Sequence, residues 1–230
     1  MNRPALLLAV LGTATGIGKT WVAAGLLAEL RRRGRRVAAR KPVQSFDPGD
    51  TSTDAEVLAA ATGEEPDAVC SPHRSLPVPM APPMAADVLG TASFTADDLL
   101  AELACPPGVD VAVVETVGGV RSPMTDDADS AGFAARLGAD GVVLVAHAAL
   151  GTINAVRLSM AALDAAAPVV VVLNRFDPAD DVHVRNRDWL RERDGLHVVT
   201  SVAALTDLVQ SRLDPRISCD CNRDPGGREV

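Results

Sequence analysis

The chain has 230 residues, 47% of them apolar and 23% charged, which is enough for one domain with a core of its own. Aromatic residues make up only 3% and Tyr is absent, so that core has to be built from Ala, Val and Leu. A formal net charge of −8 argues against nucleic acid or a membrane surface as a partner, and an anionic substrate would need local positive charge to offset it.

The first apolar run, Ala5–Leu11, reads as a strand buried on both faces. With the arginine before it, the run weakly matches a secretion signal, but cleavage behind it would remove or truncate the glycine loop that follows. No apolar run is long enough to span a bilayer, and the chain is read as cytoplasmic. That loop, LGTATGIGKT (11–20), ends as a phosphate-binding loop does and opens a helix over Lys19–Arg33. The standard pattern has its first glycine where Thr13 stands, whereas here the glycine is Gly12. Backbone N–H groups around Gly16, Ile17 and Gly18, with the positive end of the helix, suit phosphate oxygens. Lys19 would neutralise the β- and γ-phosphates, and the Thr20 hydroxyl would ligate Mg²⁺.

A second strand, Val37–Ala39, runs into RKPVQS (40–45), and a helix over Thr53–Thr62 starts beside Asp54, a residue suited to helix capping or first-turn charge. The proline-dense SPHRSLPVPMAPPMAAD breaks the pattern and reads as an ordered loop or lid. After it come helix Ala96–Ala104, strand Val111–Glu115, helix Ala131–Leu137, strand Val142–Ala146, helix Thr152–Ala165, strand Val169–Leu173 and helix Val184–Arg193. This alternation predicts an α/β fold with a doubly wound, mostly parallel sheet and right-handed crossovers. Residues 1–213 are expected to form that single domain and 214–230 a frayed tail. The cysteines at 70, 105, 219 and 221 include no CxxC pair and read as reduced and incidental.

A glycine, five residues and then GKT resembles the loop of dethiobiotin synthetase, the P-loop enzyme that uses ATP to close the ureido ring in biotin synthesis. Partition-type ATPases of the same broad class carry an extra lysine where this chain has Ala14. The resemblance covers roughly residues 5 to 176 in order. KPVQS is similar to that family's KPV-x-S/T segment, LGTIN (150–154) to the segment that holds the substrate's carboxylate tail, and VVVVLNRFDP to the strand end that reads the base. PVPMAPPMAAD resembles its lid, without the usual serine.

The resemblance implies a ligase that joins 7,8-diaminopelargonate and CO₂ at the expense of ATP. Lys41 would lie beside the carbamate and γ-phosphate, and Ser45 would touch the substrate or a phosphate oxygen; with Lys19 and Thr15 they form the catalytic set. Thr20, Asp54 and Glu115 would be the oxygen ligands of Mg²⁺. Gly16, Ile17, Gly18, Lys19, Thr20, Glu115, Gly118 and Asn174 would hold the nucleotide. Gly151, Thr152, Ile153 and Asn154 would hold the substrate across a homodimer interface, although Thr152 could equally be an ordinary helix cap. The main departure is ETVGG, where the family reads Glu-Gly-Ala-Gly-Gly: Thr116 and Val117 narrow the loop, so the amine pocket is expected to differ. Past Asn174 the match fades, with HVVTSVAALTD nearest in position to the late base-binding segment. Two alternatives follow: a paralogue using the same chemistry on another amine, and a switch or assembly ATPase of the same fold.

Overall fold

The computed structural model describes residues 3–163 and 167–214. Its strands are β1 (Leu6–Gly12), β2 (Val37–Arg40), β3 (Gln44–Ser45), β4 (Ser75–Leu76), β5 (Val111–Glu115), β6 (Gly141–His147), β7 (Val169–Asn174) and β8 (His197–Val199). The helices are α1 (Lys19–Arg32), α2 (Asp54–Thr62), α3 (Pro66–Val69), α4 (Pro82–Leu89), α5 (Ala96–Glu102), α6 (Ser130–Leu137), α7 (Thr152–Ala162), α8 (Asp181–Glu192) and α9 (Val202–Leu213). Six strands form one parallel sheet in the order β2-β5-β1-β6-β7-β8. This is the doubly wound α/β architecture the alternation of elements predicts.

Every residue of β1 is buried, and alternate residues serve opposite faces. Leu7, Ala9 and Leu11 join the core that includes residues of α4 to α8, while Leu6, Leu8 and Val10 join the core under α1, α2 and α9. A strand at the centre of a covered sheet therefore has no polar face, which is why the run reads as continuous. Its neighbours are β5 and β6, with Val10 opposite Glu115 and Leu8 opposite Gly141. The chain leaves β1 toward β2 and later crosses from β5 to β6. The crevice at this switch point lies beyond the carboxyl ends of the strands, where ligands of such sheets bind.

Several expectations change. The proline-dense segment is not all loop: it contains β4, paired with β3, and α4. Pro82 and Pro83 occupy the first turn of α4, where a missing N–H costs nothing. The structure also has α3, β8 and α9, elements too short or too weakly patterned to stand out. Helix α8 starts earlier than Val184, because the Asp180 carboxylate accepts from the Val182 and His183 N–H groups and caps it. Helix α7 is capped by Gly151 in a left-handed conformation (φ 94°), so Thr152 is not its cap. The expected helix end at 164–165, the tail from residue 215 onward and Cys219 and Cys221 lie outside the described residues. Cys70 and Cys105 are buried free thiols. Among the described residues, no helix is long and apolar enough to cross a membrane.

Candidate functional site

The loop from Thr13 to Gly18 joins β1 to α1 with little room to spare. A Cβ on Gly12 would lie 2.8 Å from the Ile17 side chain. Gly18 adopts φ 95° at the helix start, and a Cβ there would sit 2.2 Å from Asn174 Nδ2. The longer loop is thus closed by glycines at both of its ends. Asn174, at the end of β7, donates from Nδ2 to the Ile17 carbonyl at 2.9 Å and so ties the loop to the far half of the sheet. Lys19 is buried and donates from Nζ to the Gly118 carbonyl at 2.7 Å and to that of Ala14 at 3.4 Å. Burial, and then the charge of Lys41, lower its pKa from the usual lysine value to about 8.

Beneath the loop, residues far apart in sequence form one polar cluster. Lys41 Nζ donates to Glu115 Oε1 at 2.5 Å and to the Thr116 carbonyl at 3.2 Å, and pairs with Asp54 Oδ2 at 2.7 Å. Thr20 Oγ1 lies 2.7 Å from Asp54 Oδ1 and 2.9 Å from Glu115 Oε1. Asp54 reaches this point because Thr53 caps α2, through a capping box with Glu56, and leaves Asp54 as its first helical residue. Glu115 is fully buried at the end of β5, and its Oε2 has no hydrogen-bond partner. Burial pushes the Glu115 carboxyl upward against the opposing charge of Lys41. Burial acts on Asp54 in the same sense, but there Lys41 and Thr20 prevail and hold its pKa below the ordinary carboxylate value. Burial would also lower Lys41, yet Glu115 and Asp54 outweigh it and keep the ammonium charged.

A cavity of about 790 Å³ opens onto this cluster. Of the expected site residues, Thr15, Gly16, Gly18, Lys19, Thr20, Lys41, Ser45, Asp54, Val117 and Gly118 line it. Ile17 and Asn174 support the loop from behind. Thr116 does not narrow the cavity: it is fully buried, with its hydroxyl directed to the Val10 carbonyl at 3.3 Å. Val117 alone of that pair is among the lining residues, at 8% exposure and packed in the core beside the cavity. Gly151, Thr152, Ile153 and Asn154 do not line the cavity of their own chain.

Pro79, Met80, Ala81 and Pro82 of the lid-like segment line the cavity, and sequence reasoning missed Trp21, Asp50, Val57 and Ser122, which line it too. Trp21 directly follows the loop's Thr20, which was a usable signal; the others carry no motif. The Ser45 hydroxyl donates to the Met80 carbonyl at 2.6 Å, joining the KPVQS segment to the approach to α4. Ser122 Oγ accepts from the Gly119 N–H at 2.8 Å and shapes the glycine turn after β5. The arrangement brings two lysines, a phosphate-type loop and the part-exposed Asp54 to one cavity, with the buried Glu115 behind Lys41. That is machinery for gathering anions and a hard cation in one place.

Comparison with known proteins gives a consistent result. The family model of an AAA domain matches residues 7–212. The ATP-dependent dethiobiotin synthetase BioD of Haloferax mediterranei is 36% identical, covering 84% of this chain and 82% of its own. The enzyme of the same name from Xanthomonas axonopodis pv. citri is 37% identical, covering 84% and 88%. That from Anaeromyxobacter sp. is 35% identical, covering 90% and 97%. Among solved structures, a plasmid partition protein from Borrelia burgdorferi superposes with a TM-score of 0.54 at 13% identity, covering 94% of this chain and 99% of its own. The signal recognition particle receptor FtsY of Elizabethkingia anophelis, in complex with GDP, gives 0.54 at 12% identity, over 88% and 59%. At such identities the likeness is one of fold.

Proposed function

This chain belongs to the ATP-dependent dethiobiotin synthetase family, and we propose that it performs the family's ring closure with the residues gathered around its one large described cavity. The enzyme is an ATP-dependent ligase. One amine of 7,8-diaminopelargonate captures CO₂ as a carbamate. The carbamate oxygen attacks the γ-phosphorus of ATP, ADP leaves, and a carbamic-phosphoric anhydride forms. The second amine then attacks the anhydride carbon, phosphate departs, and the cyclic urea of dethiobiotin is closed. No covalent nucleophile from the protein is needed; alignment and charge compensation suffice.

The loop 12–20 cradles the phosphates, and Lys19, released from the Gly118 carbonyl, neutralises the γ-phosphate. Lys41 offsets the carbamate, Ser45 and Thr15 position the reacting oxygens, and Asn174 holds the loop from behind. Glu115 Oε2, a buried carboxylate oxygen without a partner, fits a hard cation, and with Asp54 and Thr20 it would hold Mg²⁺. Such an ion, when bound, supplies charge neutralisation to the phosphoryl group in transfer. Two carboxylates and a hydroxyl are all oxygen donors, the type a hard cation such as Mg²⁺ would take.

Gly151–Asn154 complete the site of a second copy in a homodimer. In support, they stay outside their own cavity, and neighbouring Leu150 and Leu158 are 90% and 65% exposed. The ligase domain spans residues 1–213, and we place the enzyme in the cytoplasm. Val117, lining the cavity where the family has alanine, favours one second reading: the same chemistry on a different amine.

The observation that carries the proposal is the meeting of Lys19, Lys41 and Asp54 at one cavity under the phosphate loop, with Glu115 buried directly behind Lys41. A single turnover with labelled bicarbonate tests it. Label is expected in a cyclic urea, with phosphate released only when both bicarbonate and diamine are present. Phosphate release indifferent to both would instead mark a switch ATPase.

A further inference from the structure

We propose that Lys41 is the resident counter-ion of the Asp54–Glu115 pair, so that a divalent cation is refused there alone and admitted only together with the nucleotide's phosphates. The inference rests on the reading of Thr20, Asp54 and Glu115 as metal ligands. It goes beyond that reading by giving Lys41 control of when the metal enters.

The geometry carries it. Lys41 Nζ makes three contacts, to Asp54 Oδ2, Glu115 Oε1 and the Thr116 carbonyl, and an ammonium has three N–H groups to give. Thr20 Oγ1 is within hydrogen-bond distance of Asp54 Oδ1 and Glu115 Oε1. Three of the four carboxylate oxygens are therefore engaged, and only Glu115 Oε2 is without a partner. The lysine is not a loose surface residue. It is buried, and its own N–H donates to the Val69 carbonyl at 2.8 Å, which fixes the backbone at the end of β2.

Charge points the same way. Asp54 and Glu115 are matched by Lys19 and Lys41, so the cluster as it stands is close to neutral. A bare divalent cation would add two positive charges beside two buried ammonium groups in a medium of low dielectric. The polyphosphate of a nucleotide reverses that balance, drawing both lysines toward the phosphates as it delivers the metal. The ammonium that leaves the carboxylates is then the one the carbamate and γ-phosphate require. Metal entry and charge compensation of the reacting anions become one coupled event, with a reciprocal effect of each on the affinity for the other.

Mn²⁺ provides the test, its binding followed by loss of the free-ion electron paramagnetic resonance signal, on the full chain and on Lys41→Met. The wild type is expected to take up Mn²⁺ weakly alone and tightly with a non-hydrolysable ATP analogue. Lys41→Met should bind Mn²⁺ alone at least about tenfold more tightly than the wild type, because the competing charge is gone. Methionine also leaves the buried Glu115 and the part-exposed Asp54 without their counter-ion, so the variant should melt at a lower temperature, and MgCl₂ should restore it where NaCl of equal ionic strength does not. The wild-type melting temperature should not respond to MgCl₂ alone. This last arm needs no variant, and a saturable rise there overturns the proposal, as does equal affinity of the two proteins for Mn²⁺ alone. Nucleotide-dependent uptake that ignores Lys41 overturns the proposal while sparing the metal site. Failure to take up Mn²⁺ even with the nucleotide overturns both.

Discussion

Lys19 and Lys41 sit in one cluster, yet their ionisation differs in sense. Lys41 has two carboxylate partners and keeps its charge, whereas Lys19 donates to backbone carbonyls and burial lowers it to about 8. A lysine that titrates near 8 must take up a proton to meet a phosphate above that pH. Affinity for a non-hydrolysable ATP analogue should therefore hold up to pH 7 and fall as pH rises through 8, approaching about tenfold per pH unit. In Lys19→Arg that fall should be absent, because a guanidinium stays charged throughout; equilibrium titrations from pH 7 to 9 compare the two. Lys19→Ala removes the charge outright and should lower bicarbonate-dependent phosphate release by on the order of 10²–10³. Glu115→Gln replaces a buried carboxylate by an amide, a poorer ligand for a hard cation. It should move the Mg²⁺ activation curve to higher concentration by more than it weakens nucleotide binding. An unmoved curve would leave Glu115 a purely structural residue.

The segment between β5 and α6 is proposed to set the room for the amine, and one of its two departing residues, Val117, lines the cavity. Thr116 turns into the sheet toward the Val10 carbonyl, and Val117 lines the cavity. Successive residues leaving a strand point to opposite sides, so a two-residue departure from the family pattern becomes a one-residue change in the site. Val117→Ala is therefore expected to alter kcat/KM for 7,8-diaminopelargonate by roughly 1–3 kcal/mol while the KM for ATP stays put. A fall is the outcome for an enzyme whose pocket is fitted to that diamine. A rise would mean that the natural amine is a different one. Steady-state kinetics with the diamine varied at saturating bicarbonate and ATP separate these results.

At the scale of the molecule, the segment Gly151–Asn154, proposed to hold the substrate, lies outside the cavity of its own chain. Leu150 is 90% exposed beside that segment, and Leu158 is 65% exposed. Leu150→Asp should therefore shift the protein from dimer to monomer in sedimentation velocity. It should raise the KM for the diamine while leaving nucleotide affinity within a few-fold, because the phosphate loop is complete in each chain. A monomeric variant with unchanged diamine KM would remove Gly151–Asn154 from the substrate site.

The sequence determined what depends on neighbours along the chain. Apolar runs without alternation marked the central strands, because a strand covered on both faces has no polar side. The glycines and Gly18-Lys19-Thr20 marked the loop, because only such a turn can bring backbone N–H groups around phosphate. Asp54 at a helix start and Glu115 at a strand end stood out by their placement, and the dethiobiotin synthetase resemblance supplied their roles. Tertiary structure alone decided which of these residues meet and which way they face. Lys41 and Glu115 are 74 residues apart and touch because β2 pairs with β5, a neighbour relation that no local pattern encodes. The same holds for Asn174, which reaches Ile17 across 157 residues, and for Val57 and Ser122, which line the cavity without any motif. Thr116 and Val117 were both legible as a departure, but the choice between them was not. It is set across the sheet, where the Val10 carbonyl accepts from both the backbone N–H and the hydroxyl of Thr116.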